Sequence, residues 1–276
     1  MHKIKESFFQ EINKNITAEV SPTSAIDLNT NKSFLSIRER GGFIVSCELT
    51  SLSTSERYKV LYSSDDIHTP KLTASHIMSP VGPSEGIGGQ HGFPRWADYR
   101  VFSLGEGDDG EKRVAIQAKR SDDGLAIAKT FELSDSALST HTTLFNSESN
   151  LVKTSIGEHL YFSLLSENFE GLKLDGKSLD ELLGDDAENS IKTGNSMFWD
   201  GFLGQISITF PSGYKVNLLA NSINNTDSVG LLIWHKPGSP SICIEPTIGF
   251  NKFSGNRGLV INPYDSVTLH TKIELE

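Results

Sequence analysis

Ser241-Ile242-Cys243-Ile244-Glu245-Pro246 alternates with a period of two, the pattern of a strand with two unlike faces. Ile242 and Ile244 point one way; Ser241, Cys243 and Glu245 point the other. Pro246 biases Glu245 toward extended geometry and cannot donate a ladder hydrogen bond, so regular pairing is expected to stop there. The stretch offers a carboxylate at the end of a strand, held in one backbone conformation. That placement suits a catalytic base and an ordinary surface glutamate alike. Partners elsewhere in the chain decide between them.

The rest of the chain is written in the same pattern. Alternating runs recur at Ser33-Phe34-Leu35-Ser36-Ile37-Arg38-Glu39, at 43–49, 57–62 and 72–78, and on to the run at 266–275. Turn dipeptides separate many of them, such as Gly41-Gly42, Asp109-Gly110 and Asp123-Gly124. Roughly fifteen strands are predicted. Helix is predicted only in short pieces, over Ile4–Ile12 and as one turn at Ser178–Gly184. The polar, acidic segment 167–195 reads as a solvated insertion. No linker divides the chain, so residues 1–276 are expected to form one all-β domain, a large sandwich or barrel.

Composition narrows the function classes. The 276 residues carry a formal net charge of -10, which argues against general nucleic-acid or anionic-membrane binding. Two cysteines, Cys47 and Cys243, lie in apolar runs and read as small hydrophobes, not a disulfide framework. No apolar run approaches ~20 residues, and the N-terminus lacks a signal-peptide core, so a cytoplasmic protein is expected. Dinucleotide, phosphate-loop and nucleophile-elbow motifs are absent. The eight histidines show no close metal-ligand spacing, although ligands distant in sequence can converge. No metal or cofactor is expected.

Three stretches could join Glu245. Gly89-Gln90-His91-Gly92-Phe93-Pro94-Arg95-Trp96, in the long irregular stretch 79–98, sets an imidazole and a guanidinium among aromatic rings, with glycines that allow close approach. Gly157-Glu158-His159-Leu160-Tyr161-Phe162 puts His159 and Tyr161 on one face. Glu158 falls on the other, core-like face, where it would sit at an edge or pair with a basic residue. Phe198-Trp199-Asp200-Gly201 sets a carboxylate beside an indole, which suits a sugar and suits a turn.

Taken together these motifs resemble the aldose 1-epimerase (galactose mutarotase) family, above all its aldose-epimerase-like and hexose-6-phosphate mutarotase-like branch. His91-Gly92-Phe93-Pro94-Arg95 is similar to that family's His-Gly-Phe-x-Arg loop, and His159-Leu160-Tyr161-Phe162 to its His-x-Tyr-Phe strand. Asp200, the run Ile233–Gly238 and Ile242-Cys243-Ile244-Glu245-Pro246 match in order. The resemblance implies a galactose-mutarotase-like supersandwich with an open concave sugar-binding face. It implies Glu245 as base and His159 as acid, with His91, Arg95 and Asp200 holding sugar hydroxyls. Phe93, Trp96, Phe162 and Trp199 are candidate walls. The partner implied is a small aldose, with the chain a monomer or homodimer. Residues 79–85 lack the basic signature common before the His-Gly-Phe loop, which leaves phosphorylation of the sugar open. The alternatives are a sugar-binding or regulatory protein on the same scaffold, or a glycosidase using Asp200 with Glu245.

Overall fold

The computed structural model describes residues 24–64, 74–84, 89–107, 109–118, 124–164, 168–224, 227–250 and 257–276. The helix expected over Ile4–Ile12 and residues 85–88 of the long loop lie outside them. In chain order the strands are β1 (Ala25–Asn29), β2 (Phe34–Arg38), β3 (Ile44–Thr50), β4 (Arg57–Leu61), β5 (His76–Met78), β6 (Tyr99–Glu106), β7 (Lys112–Ala118), β8 (Leu125–Leu133), β9 (Ala137–Asn146) and β10 (Val152–Thr154). They continue as β11 (Ile156–His159), β12 (Tyr161–Ser163), β13 (Lys173–Leu174), β14 (Met197–Trp199), β15 (Gln205–Thr209), β16 (Lys215–Ile223), β17 (Val229–His235), β18 (Ser241–Ile248), β19 (Leu259–Ile261) and β20 (Ser266–Leu275). Two short helices, α1 (Leu179–Leu183) and α2 (Ala187–Lys192), lie between β13 and β14. No helix among the described residues is long and apolar enough to cross a membrane.

Two large antiparallel sheets pack face to face. The front sheet runs β1-β2-β3-β4-β12-β18-β11-β5, with β17 beside β18 and β14 beside β17. The back sheet runs β13-β15-β16-β20-β9-β8-β7-β6. Burial follows position. In the back sheet, β8 and β20 keep every second residue half-exposed toward their ends, so one face is wet. In the front sheet every residue of β18 is buried, because both of its faces are covered.

Three expectations need correction. Pairing does not stop at Pro246: the ladder with β17 passes straight through it, Leu231 opposite Pro246. Alternate residues of an antiparallel strand address opposite neighbours, so a missing N–H interrupts one side only. That side is β11–β12, where pairing skips 244–246 and Ile244 N–H instead donates to the Leu160 carbonyl. Second, segment 167–195 is not simply solvated. It buries Phe169, Leu172, Leu179 and Ile191 in the main core. The Ser178/Glu181 capping box starts α1 at the expected turn, while α2 carried no comparable signal. Third, Phe162 is no wall: it is fully buried and packs against Phe210 in the core.

Glu158 takes the second of its two options. From the core face of β11 it accepts hydrogen bonds from Lys129 Nζ at 2.5 Å and from the Thr142 hydroxyl, both side chains of the back sheet. Lys129 and Glu158 are wholly buried. Removing one member of such a pair strands the other charge, at a cost of about 3–5 kcal/mol. Lys129→Met is therefore expected to lose about that much stability in urea unfolding, and Lys129→Met with Glu158→Gln to recover a large part of it.

Candidate active site

The site is a set of rows across the front sheet. Cys243 stands between Tyr161 on β12 and Trp234 on β17. The register that pairs Gly157 with Thr247 and Tyr161 with Cys243 sets His159 across from Glu245. His76 lies beside His159 on the far side, and Leu232 then Phe198 continue the row beyond Glu245. Five strands thus contribute one side chain each to a single line.

Distances within the cluster are short. His159 Nε2 lies 3.3 Å from Glu245 Oε1 and 3.5 Å from the Tyr161 hydroxyl. The Tyr161 ring stacks on His159 at 4.4 Å and 6°. On the other side His76 stacks at 4.8 Å, and Trp234 stands edge-on to both His159 and Tyr161. The Trp234 indole is fixed by donating to the Gly194 carbonyl.

The glycine-rich loop brings His91 over this row, 5.1 Å from His159 and 5.4 Å from His76 between ring centres. His91 adopts φ 69°, an uncommon conformation for a residue with a side chain. Hydrogen bonds hold it there. Its N–H donates to the Gly82 carbonyl, its carbonyl accepts from Ser79 N–H, and its Nδ1 accepts from Gly82 N–H. Gly92 must be glycine, since at φ 69° a Cβ would stand 1.8 Å from the Ser79 oxygen. The 3-10 turn Phe93–Arg95 follows, and its half-buried Arg95 has no partner for Nε among the described residues.

Burial sets the protonation states. Desolvation raises the Glu245 carboxyl to about 8. It holds His159 and His76 well below the usual imidazole range, with the neighbouring imidazoles and Arg95 adding to the effect. His91 is pushed down to about 3, again mainly by burial and then by Arg95. At neutral pH the His159–Glu245 pair therefore holds one proton, on the carboxyl.

Of the residues expected here, Glu245, His159, His91 and Arg95 come together. Asp200 does not join their contacts: it is exposed just past β14, without a hydrogen bond or ion pair among the described residues. Phe93 and Trp199 are half-buried against the core. His76 was missed. Its alternation with Met78 was legible, but nothing in sequence says that β5 pairs with β11. Cys243, read as a small hydrophobe, belongs to the site face.

No protein-family model matches the chain, and no curated protein matches it by sequence. Solved structures match along almost its full length. The Slr1438 protein of Synechocystis superposes with a TM-score of 0.71 at 17% identity, over 95% of this chain and 99% of that one. A galactose mutarotase-like protein of Lactobacillus casei gives 0.66 at 18% identity, over 92% and 100%. A putative aldose 1-epimerase of Escherichia coli K12 gives 0.67 at 14% identity, over 92% and 99%. The chain thus has the galactose mutarotase-like sandwich fold, here with a carboxyl–imidazole pair buried on its front sheet.

The raised carboxyl has a thermodynamic signature. Between its ordinary value of 4.5 and about 8, the folded chain holds the Glu245 proton and the unfolded chain does not. The stability this contributes is full below 4.5 and is lost as pH rises through 8. Relative to Glu245→Gln, the wild type should therefore lose about 1.4 kcal/mol per pH unit across that window. Urea unfolding of both proteins at several pH values measures it, and parallel curves would mean an unperturbed carboxyl.

Proposed function

We propose that this protein is an aldose 1-epimerase, interconverting the α and β anomers of a sugar by acid–base ring opening and closure. The observation that carries the reading is the His159–Glu245 pair, 3.3 Å apart, buried and facing the same side of adjacent strands. Anomer exchange needs one proton taken from the C1 hydroxyl and one delivered to the ring oxygen, with no net redox change. A pair that shares a single proton meets that need. Shifting the proton from Glu245 to His159 yields a carboxylate and an imidazolium. Glu245 then takes the hydroxyl proton while His159 protonates the ring oxygen, the C1–O5 bond breaks, and the open aldehyde forms. Rotation about C1–C2 and closure in the reverse sense return both protons.

The surroundings support the same reading. His91 Nδ1 accepts from the backbone and its Nε2 lies 3.3 Å from the Gln90 side-chain amide nitrogen; a sugar oxygen that displaces Gln90 would accept a hydrogen bond from Nε2. Arg95 Nε has no partner among the described residues and is a second donor for hydroxyls. Trp234 offers an apolar wall beside the pair. Asp200 would bind substrate hydroxyls from its exposed loop. Cytoplasmic location, a one-domain chain and the absence of a cofactor belong to this proposal.

NMR exchange spectroscopy on glucose, galactose and glucose 6-phosphate tests it. Glu245→Gln and His159→Asn are each expected to slow anomer exchange by about 10²–10⁴. The rate should be bell-shaped in pH, because the pair works with one proton and not with two or none. The alkaline limb is expected near the Glu245 value of about 8, and the acid limb below the usual imidazole range. Saturable sugar binding without exchange would point to a binding protein on this fold. No effect on any aldose, pentoses and uronates included, would end the reading.

A further inference from the structure

We propose that His159, Cys243 and Glu245 form a zinc site, with a water as the fourth ligand, so that Zn²⁺ can occupy the site in place of a sugar. The competition with sugar rests on the reading above; the metal site itself does not. One ligand atom from each of His159, Cys243 and Glu245 lies within 4.8 Å of the other two, and all three residues are buried. Cys243 and Glu245 alternate on one strand, and His159 faces them from the next. The 3.3 Å between His159 Nε2 and Glu245 Oε1 is already about the edge of a tetrahedron whose metal–ligand bonds are ~2.0–2.2 Å. Imidazole, thiolate and carboxylate together are ligands that suit zinc. One thiolate and one carboxylate also cancel the charge of the ion, so the buried complex carries none.

His76 lines the site beside His159 but is not one of the three ligating groups. Its Nδ1 lies 2.8 Å from the Ala74 carbonyl, to which it donates, which leaves a lone pair on Nε2. That atom is buried and has no partner among the described residues, and its ring stacks on His159. His91 is arranged the opposite way, with Nδ1 accepting from Gly82 N–H, and is not a ligand here. The other free thiol, Cys47, lies in the hydrophobic core and serves as a control.

The test is titration of the reduced, full-length chain with Zn²⁺, and with Co²⁺ as a spectroscopic probe. One ion per chain is expected, with tetrahedral cobalt d–d bands and a thiolate-to-cobalt charge-transfer band. Cys243→Ala should abolish the charge-transfer band and weaken Zn²⁺ at least about 100-fold, since even an outer-shell change costs 10–100-fold. Cys47→Ala should keep both. X-ray absorption of the wild-type zinc complex, which needs no variant, should show one sulfur neighbour. Absence of stoichiometric binding, a charge-transfer band that survives Cys243→Ala, or a zinc shell without sulfur would each overturn the site. Zinc binding with these signatures but no anomer exchange in metal-free protein would keep the site and remove the mutarotase reading. Anomer exchange indifferent to Zn²⁺, with no cobalt band, would do the reverse.

Discussion

The antiparallel register between β18 and the interrupted strand β11–β12 is the constraint on which the rest depends. Side chains alternate across a sheet, so a slip of one residue would move every group to the wrong face. Glu245 and Cys243 would enter the core, and Ile244 would replace them at the site. Several features resist that slip. Glu158 is tied to Lys129 and Thr142 across the sandwich. Tyr161, Cys243 and Trp234 sit in one row on the opposite face. Pro246 has no N–H to give, and its place matches the gap in pairing around Leu160. Register, core and site are thus specified together.

Two buried acids show how one fold separates structure from chemistry. Glu158 meets a lysine and a threonine, and both of its carboxylate oxygens are used. Such a group ties the two sheets together and has no oxygen left for a ligand. Glu245 is equally buried, its one ion-pair-distance partner among the described residues is a neutral imidazole, and desolvation raises its carboxyl to about 8. Around it, His76 Nε2, His159 Nδ1 and Arg95 Nε are buried without partners among the described residues. Buried polar groups are ordinarily paired. Their concentration beside one carboxyl is what the proposed function draws on: a bound sugar would complete the network.

Much of this was legible because the period-two signal is local. It assigned Glu245 and Cys243 to one face and His159 and Tyr161 to another, and the structure superimposes those two faces. The run read at 266–275 coincides with β20. What escaped depends on pairing between distant segments. His76 enters only because β5 docks on β11. The partner of Glu158 comes from the other sheet, and Phe162 is turned to the core by the register that turns Tyr161 outward. Pro246 misled because its effect on a ladder is one-sided, and sequence alone does not say which neighbour lies on which side.

Fold likeness at 14–18% identity carries architecture and no more; the chemistry has to come from the pocket. The unmet groups there are three desolvated nitrogens and a proton-sharing pair, with one indole as the apolar surface beside them. A wholly apolar ligand would leave the nitrogens unmet, at about 1–3 kcal/mol for each buried group. A ligand rich in hydroxyls supplies donors and acceptors at once and offers C–H faces to the ring. The pair itself adds what binding does not require, an acid and a base within reach of adjacent oxygens. Under the proposed function, satisfying these groups and using the pair call for the same kind of molecule, one whose hydroxyl and ring oxygen flank a single carbon.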